Sequence, residues 1–180
     1  MGCTPESGKL RQHRTVGLEI DASKCTGCGK CKAACALQIP DIIEGKAHNT
    51  STKCMRCPMC IDACPMDAIS FVEKENLSKA LASAAYGVIS TFKPGRVSFV
   101  SFARYITKYC DCLPNPGENM IKDIGILAGD SAVSVDGAFL ELADYKVLND
   151  SAHIDCMLQV KEAKRLGLKG DVKPKINAII

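Results

Sequence analysis

Cysteines are the residues of this sequence with the clearest chemical potential, because eight of the twelve lie between residues 25 and 64. They form two runs with the spacing C-x2-C-x2-C-x3-C: Cys25, Cys28, Cys31 and Cys35, then Cys54, Cys57, Cys60 and Cys64. Every cysteine of the first run recurs 29 residues later, since 25 + 29 = 54 and 35 + 29 = 64. A repeat this regular predicts a duplicated supersecondary unit. Thiols at this spacing are typical ligands of an iron–sulfur cluster.

The two-residue spacers explain how such a run can surround a four-iron cube. Each spacer wraps the chain around one corner and turns backbone N–H groups toward the sulfur atoms. Gly27 and Gly29 permit a close approach to the cluster because they have no Cβ. In two-cluster ferredoxins the fourth cysteine of each run ligates the other cluster. We therefore predict two [4Fe–4S] clusters with these ligands: Cys25, Cys28, Cys31 and Cys64 for cluster I, and Cys54, Cys57, Cys60 and Cys35 for cluster II.

Two structural zinc sites are the alternative interpretation of these cysteines. Zinc sites use paired C-x2-C knuckles that are separated along the chain, whereas each run here places three cysteines within seven residues. The spacing therefore favours iron–sulfur clusters. Apolar residues around the cysteines, such as Ile42, Ile61 and Ile69, are expected to keep water off the clusters and to tune their reduction potentials.

Composition limits the other classes of function. The formal charge of +3 gives no basic face large enough to bind nucleic acid. The longest apolar stretches are too short for a membrane span. The residues that follow Met1 contain no apolar segment of the kind found in a secretory signal peptide. A cysteine-rich chain of this kind is expected to bind metal in a reducing compartment, the cytoplasm.

The sequence after the cysteine repeat predicts helices and strands in an α/β arrangement. Apolar periodicity, alternation and turn residues give the following elements: a helix from Asn76 to Ile89, a turn at Lys93-Pro94-Gly95, a strand over residues 96–103, a buried strand over residues 124–127, a helix over residues 132–147 and a helix from about residue 155 to residue 166. Two or three strands would leave a wide unpaired edge, so this sheet looks incomplete.

The cysteine repeat resembles bacterial two-cluster ferredoxins over about residues 17–74. Its flanks resemble a narrower group, the uncharacterised Fe–S centre proteins, a family classified as a domain of unknown function. Four segments carry this second resemblance: Met1-Gly2-Cys3, Gly8-Lys9-Leu10-Arg11-Gln12-His13, Cys110-Asp111-Cys112 and residues 123–136. That family has a further N-terminal region with no counterpart here. The resemblance therefore implies a short form of the protein or a missing half that is a separate subunit.

These observations predict an α+β fold class, with a two-cluster ferredoxin-like module followed by a partial α/β domain. The expected regions are residues 1–16, an N-terminal segment that packs with the C-terminal part, residues 17–74, the ferredoxin module, and residues 75–180, the partial α/β domain.

Four cysteines remain outside the two runs: Cys3, Cys110, Cys112 and Cys156. Cys156 lies on the apolar face of a predicted helix, which favours a small buried hydrophobe. In an extended backbone, Cys110 and Cys112 would project to the same side. We hypothesise a third site, built from Cys3, His13, Cys110 and Cys112, that holds a metal or faces a substrate. The alternative is that these are packing or turn residues, since no spacing rule links the segments.

Three functions remain open from the sequence. The first is an electron carrier or electron-transfer subunit that relays single electrons through the two clusters. The second is a reductase-type enzyme in which the clusters feed a site near Cys110 and Cys112, although no catalytic residue can be assigned. The third is a module whose clusters are structural or redox-sensing. The expected partner is a redox protein or companion subunit, and basic residues near the cysteines would suit an acidic one: Lys24, Lys30, Lys32, Lys46, Lys53 and Arg56.

Overall fold

The computed structural model of the protein describes residues 4–110, 113 and 115–178. It divides into two compact units. The first is Glu6–Leu77, here called the cysteine unit. The second, here called the C-terminal unit, comprises Ser78–Ile180 and Met1–Pro5, as far as these residues are described. The region boundaries at residues 16 and 74 stay predictions.

Two copies of one strand–helix–strand motif make up most of the cysteine unit, after a first helix, α1 (Glu6–His13). The first copy consists of β1 (Gly17–Ile20), α2 (Lys30–Ala34) and β2 (Asp41–Ile43), and the second of β3 (Lys46–His48), α3 (Met59–Asp62) and β4 (Ile69–Val72). Strand β1 pairs antiparallel with β4, and β2 pairs antiparallel with β3. Each sheet therefore joins a strand of one copy to a strand of the other.

The repeat extends to the backbone conformation between the cysteines. Left-handed φ angles recur at pairs of positions 29 residues apart: Gly27 and Arg56, Gln38 and Asp67, and Glu44 and Glu73. A residue with a Cβ adopts this conformation at a cost of roughly 1–2 kcal/mol. Its recurrence at non-glycine positions indicates that the surrounding structure imposes the turn in both copies.

The core of the cysteine unit is built around sulfur. Its buried residues are Cys31, Ala47, Cys60 and Ile69, with half-buried Leu18, Ile20, Ile42 and Ile61 packed against them. Cys31 comes from α2 and Cys60 from α3, and these two short helices pack together. Helices of four and five residues are too short to be stable alone, so this packing has to hold them in place.

The C-terminal unit packs helices against one two-stranded sheet. Its elements are α4 (Glu75–Ile89, which begins in the cysteine unit), β5 (Phe99–Ala103), β6 (Gly125–Gly129), α5 (Ala132–Leu142), α6 (Tyr145–Ala152) and α7 (Met157–Arg165). Strands β5 and β6 are antiparallel, with Ser101 opposite Leu127. Helix α5 packs on both strands and on α7, and its Val133 lies in the core with Val160 of α7.

Two sequence predictions in this unit need correction. The single helix predicted over residues 132–147 is two helices, because Ala143 is extended and the Asp144 side chain accepts the N–H of Val147 at 3.2 Å. Aspartate is a strong N-cap, and here it starts a new helix. The strand predicted over residues 96–103 begins only at Phe99, since Phe99 pairs with Gly129, where β6 ends.

The predicted α+β class is confirmed, since helices accompany small antiparallel sheets. Within the described residues, each sheet has two strands. None of the described helices combines the length and the apolar character that crossing a bilayer requires.

Candidate metal centre

Four cysteines line one small cavity in the cysteine unit: Cys25, Cys28, Cys31 and Cys64. Three come from the first run, and Cys64 is the last cysteine of the second. Apolar side chains complete the lining, among them Ile42 and Ile69. Cys31 is buried, whereas Cys28 is exposed at the surface. The cavity therefore offers four thiols, an apolar wall and one edge that reaches solvent.

The remaining four cysteines of the repeat interact with one another. Burial raises the pKa of Cys57, and the neighbouring charges of Cys35 and Cys54 raise it further. Burial also raises the pKa of Cys60 to about 12, with smaller contributions from Cys57, Cys54, Cys35 and Cys31. Such charge interactions are strong only over short distances. Cys35, the last cysteine of the first run, therefore lies with the three leading thiols of the second.

Backbone N–H groups point at two of the sulfur atoms. The Ala47 N–H donates to Cys25 Sγ at 3.3 Å, and the Ala68 N–H donates to Cys64 Sγ at 3.4 Å. The hydrogen bond from Ala47, followed by one from Gly27, lowers the pKa of Cys25. Lys46 adds a smaller effect of the same sign, and its Nζ donates to the Cys25 carbonyl oxygen at 2.6 Å. This environment favours a thiolate at Cys25.

The two glycines of the first run have different structural reasons. A Cβ at Gly27 would lie 2.3 Å from the Gly45 carbonyl oxygen, and its φ is +68°. The approach that requires glycine here is thus between two backbone segments. Gly29 has φ +76° and precedes α2, but a Cβ there would meet open space. Gly27 answers both a steric and a conformational demand, and Gly29 only the second.

The donor set fits a four-iron cluster. A zinc ion draws all its sulfur ligands to about 2.3 Å from one centre, whereas a cube spreads four thiolates over four iron atoms. In the part of the chain that the structure describes, no three His, Cys, Asp or Glu side chains are arranged around a single metal ion. Two sets of four thiols are present instead, and N–H donors face the sulfur atoms of the first.

The hypothesised third site is not tested. Cys3 and Cys112 lie outside the described residues. His13 ends α1, and burial, followed by the charge of Lys9, lowers its pKa. Cys110 is exposed and belongs to the C-terminal unit, whereas His13 belongs to the cysteine unit. A metal or substrate site made from these residues stays a prediction.

The basic residues near the cysteines have different surroundings. Lys24 pairs with Asp21 at 3.8 Å, and Lys32 pairs with Asp41 at 2.9 Å. Lys46 is held at Cys25, Arg56 is half-buried, and Lys30 and Lys53 are exposed. The surface charge available to a partner is therefore smaller than the six basic residues suggest.

Sequence reasoning missed the contributions of Gly45 and Ala47 to the site. Both belong to the hairpin formed by β2 and β3, which brings Gly45 against Gly27 and Ala47 against Cys25. The Glu44-Gly45 pair signals a turn. No local signal identifies the cysteine that this hairpin faces, because the contact spans 22 residues.

Comparison with known proteins gives the same region a family. Residues 17–77 match the family model described as a 4Fe-4S dicluster domain. The formate dehydrogenase-O iron–sulfur subunit of Escherichia coli is 31% identical over 96 residues, covering 48% of this chain and 31% of that protein. The formate dehydrogenase iron–sulfur subunit of Haemophilus influenzae is 32% identical over 82 residues, covering 41% of this chain and 26% of that protein.

A third relative has a different enzymatic name. The B subunit of the anaerobic dimethyl sulfoxide reductase of Escherichia coli is 30% identical over 82 residues, which cover 41% of this chain and 39% of that protein. The chain thus spans well under half the length of the relatives it matches. No solved structure matches. The resemblance of the flanks to the uncharacterised Fe–S centre proteins stays a prediction. Residues 17–77 are a 4Fe-4S dicluster domain, similar to the iron–sulfur subunits of oxidoreductases.

Proposed function

We propose that this protein relays single electrons through two [4Fe–4S] clusters, as a carrier or as the electron-transfer subunit of a larger enzyme. One observation carries the proposal: Cys64 lines the same cavity as Cys25, Cys28 and Cys31, although it belongs to the other run. This exchange of the fourth ligand is the arrangement of two-cluster ferredoxins. A cluster bound there would supply a one-electron redox couple.

The proposed ligands follow the two thiol groups. Cluster I would be held by Cys25, Cys28, Cys31 and Cys64, which share a cavity. Cluster II would be held by Cys54, Cys57, Cys60 and Cys35, whose mutual charge interactions support their proximity. Both sets draw one ligand from each copy of the repeat, so neither cluster could be bound by one copy alone.

The surrounding residues control charge and water. The N–H groups of Ala47 and Ala68 stabilise negative charge on the sulfur atoms of Cys25 and Cys64. Ile42 and Ile69 line the cavity and limit the access of water. Cys28 is exposed, so the protein layer between this thiol and a docked partner is thin. We infer that electrons enter or leave cluster I on the Cys28 side.

The partner is inferred to be a redox protein or a companion subunit. The relatives are named as subunits of oxidoreductases, two of them as iron–sulfur subunits, which supports this inference. Lys30 and Lys53 are exposed near the cysteines and would attract an acidic surface. Thiols that must stay reduced for cluster assembly favour the cytoplasm as the compartment.

Electron counting tests the proposal. The anaerobically reconstituted full-length protein is reduced with dithionite, desalted and mixed with oxidised cytochrome c, a one-electron acceptor. We expect about two electrons per chain to be delivered, one from each cluster. The Cys156→Ala variant should deliver the same number, because Cys156 is in the C-terminal unit. Iron-loaded protein that delivers no electrons would refute the relay and favour structural clusters.

A further inference from the structure

A cleft of about 360 Å³ lies in the C-terminal unit, here called the α5 cleft. It is bounded by the end of α4, the Lys93-Pro94-Gly95 turn, the N-terminus of α5 and the loop that follows α7. Its volume falls within the range of small-molecule sites, about 300–1,000 Å³. All its lining residues belong to the C-terminal unit, so it is separate from the cysteine sites.

The walls of the α5 cleft are rich in aromatic and apolar side chains. Leu168 is only 8% exposed and forms part of the lining, with half-buried Phe99. Tyr86 and Phe92 also line it, yet they are 41% and 52% exposed. Single exposed apolar residues are ordinary, but two aromatic rings that face one concave surface are typical of a binding site.

Hydrogen bonds fix the loop after α7 against the N-terminus of α5. The Ser131 hydroxyl donates to the Lys169 carbonyl oxygen at 2.6 Å and accepts the Ser134 N–H at 3.1 Å. The Asp171 N–H donates to Ser134 Oγ at 2.9 Å. Between these contacts, Gly170 has no room for a Cβ, which would lie 1.9 Å from Ser131 Oγ. Lys169 is therefore held beside the start of α5.

The charged groups of the α5 cleft are two lysines and one aspartate. Lys93 and Lys169 line it together with Asp130, which leaves one net positive charge. Helix α5 has eleven residues and directs the positive end of its dipole to this place. The Ser131 hydroxyl takes only the N–H of Ser134. The earlier first-turn N–H groups have no intrahelical acceptor and suit an anionic group.

We propose that the α5 cleft binds a small organic anion that has an aromatic body. The aromatic body packs against Tyr86, Phe92 and Phe99, and its carboxylate or phosphate group lies beside Lys169 at the start of α5. Asp130 accepts a hydrogen bond from a hydroxyl or amine elsewhere on the ligand. This binding site goes beyond electron relay, and its existence does not depend on the clusters.

Equilibrium dialysis with two probes of one ring system tests the proposal. The full-length, cluster-loaded protein is dialysed anaerobically against 1-naphthalenesulfonate or against the neutral 1-naphthalenemethanol. We expect the sulfonate to bind saturably with one site per chain. Lys169→Glu should weaken sulfonate binding about fivefold or more, as expected for reversal of an exposed charge beside an anion. Binding of the neutral probe should change by less than twofold.

A matched control and a wall variant complete the design. Lys146→Glu makes the same charge change on α6, at an exposed lysine outside the cleft, and should leave sulfonate binding unchanged. Tyr86→Ala should weaken both probes, because it removes part of the aromatic wall. Circular dichroism identifies any variant that has lost its fold. Absence of saturable sulfonate binding to the wild type, or equal weakening by Lys169→Glu and Lys146→Glu, would overturn the proposal. Neither result would affect the electron count that tests the relay.

Discussion

The backbone N–H of Ala47 donates a hydrogen bond to Cys25 Sγ across 3.3 Å, although 22 residues separate them. Ala47 lies in β3, the first strand of the second copy of the repeat, whereas Cys25 belongs to the first copy. Lys46, the residue before Ala47, donates to the Cys25 carbonyl oxygen. One short strand therefore brings both an N–H dipole and a positive charge to a proposed cluster ligand.

The charge of Lys46 should raise the reduction potential of cluster I. Reduction adds negative charge, which a nearby cation stabilises. A partly exposed charge contributes up to about 1 kcal/mol, so Lys46→Met should lower the potential on the order of 20–45 mV. Lys46→Arg retains the charge and is the matched control. Redox titration followed by EPR measures both variants, and equal potentials in Lys46→Met and the wild type would contradict this role.

Gly27 and Gly29 should differ in their tolerance of alanine. Gly27→Ala places a Cβ 2.3 Å from the Gly45 carbonyl oxygen in a left-handed backbone, so we expect a loss of about 2–4 kcal/mol. Gly29→Ala meets open space and should cost only the backbone strain, about 1–2 kcal/mol. The readout is the rate of absorbance loss near 400 nm in guanidinium chloride under anaerobic conditions. Equal rates would show that the contact with Gly45 is unimportant.

Two helical glycines of the C-terminal unit should respond with opposite sign. Gly87 in α4 is exposed, and a Cβ there meets nothing, so Gly87→Ala should stabilise the unit by about 0.5–1 kcal/mol. Gly137 in α5 is buried, and a Cβ there would lie 2.3 Å from the Val172 carbonyl oxygen. Gly137→Ala should therefore destabilise by about 1–3 kcal/mol despite the higher helix propensity of alanine. Urea denaturation followed by circular dichroism measures both, and stabilisation by Gly137→Ala would contradict the packing of α5.

Paired cysteine substitutions should reveal the exchange of the fourth ligand. With Cys64 in cluster I, the double variant Cys25→Ala/Cys64→Ala damages one cluster and should keep about four iron atoms per chain. The double variant Cys54→Ala/Cys64→Ala damages both and should keep fewer. If each run held its own cluster, these two outcomes would be interchanged. Cys156→Ala is the control and should keep the iron content of the wild type.

Much of the cysteine unit was predictable because its information is local. The spacing between Cys25 and Cys35 recurs between Cys54 and Cys64, and the strands, helices and left-handed turns recur with it. Spacing constrains how a short segment can wrap around a cluster, so the sequence contains most of what is needed. The hairpin that aims Ala47 at Cys25 was missed, because it depends on a contact between distant segments.

The C-terminal unit was less predictable for a similar reason. Apolar periodicity continues from α5 into α6, so it does not register the break at Ala143 that the Asp144 cap creates. The α5 cleft depends on the loop between Gly167 and Asp171, which reaches α5 through Ser131 and Ser134. Hydrogen bonds between residues 37 or 38 positions apart leave no pattern in a single sequence.

The central claim is that residues 25–64 hold two four-iron clusters. Iron and acid-labile sulfide, measured per chain on anaerobically prepared protein together with low-temperature EPR after reduction, test it most directly. We predict about eight iron atoms and eight sulfides per chain, with EPR signals from reduced [4Fe–4S] clusters. A colourless protein that contains zinc, without iron or sulfide, would contradict it.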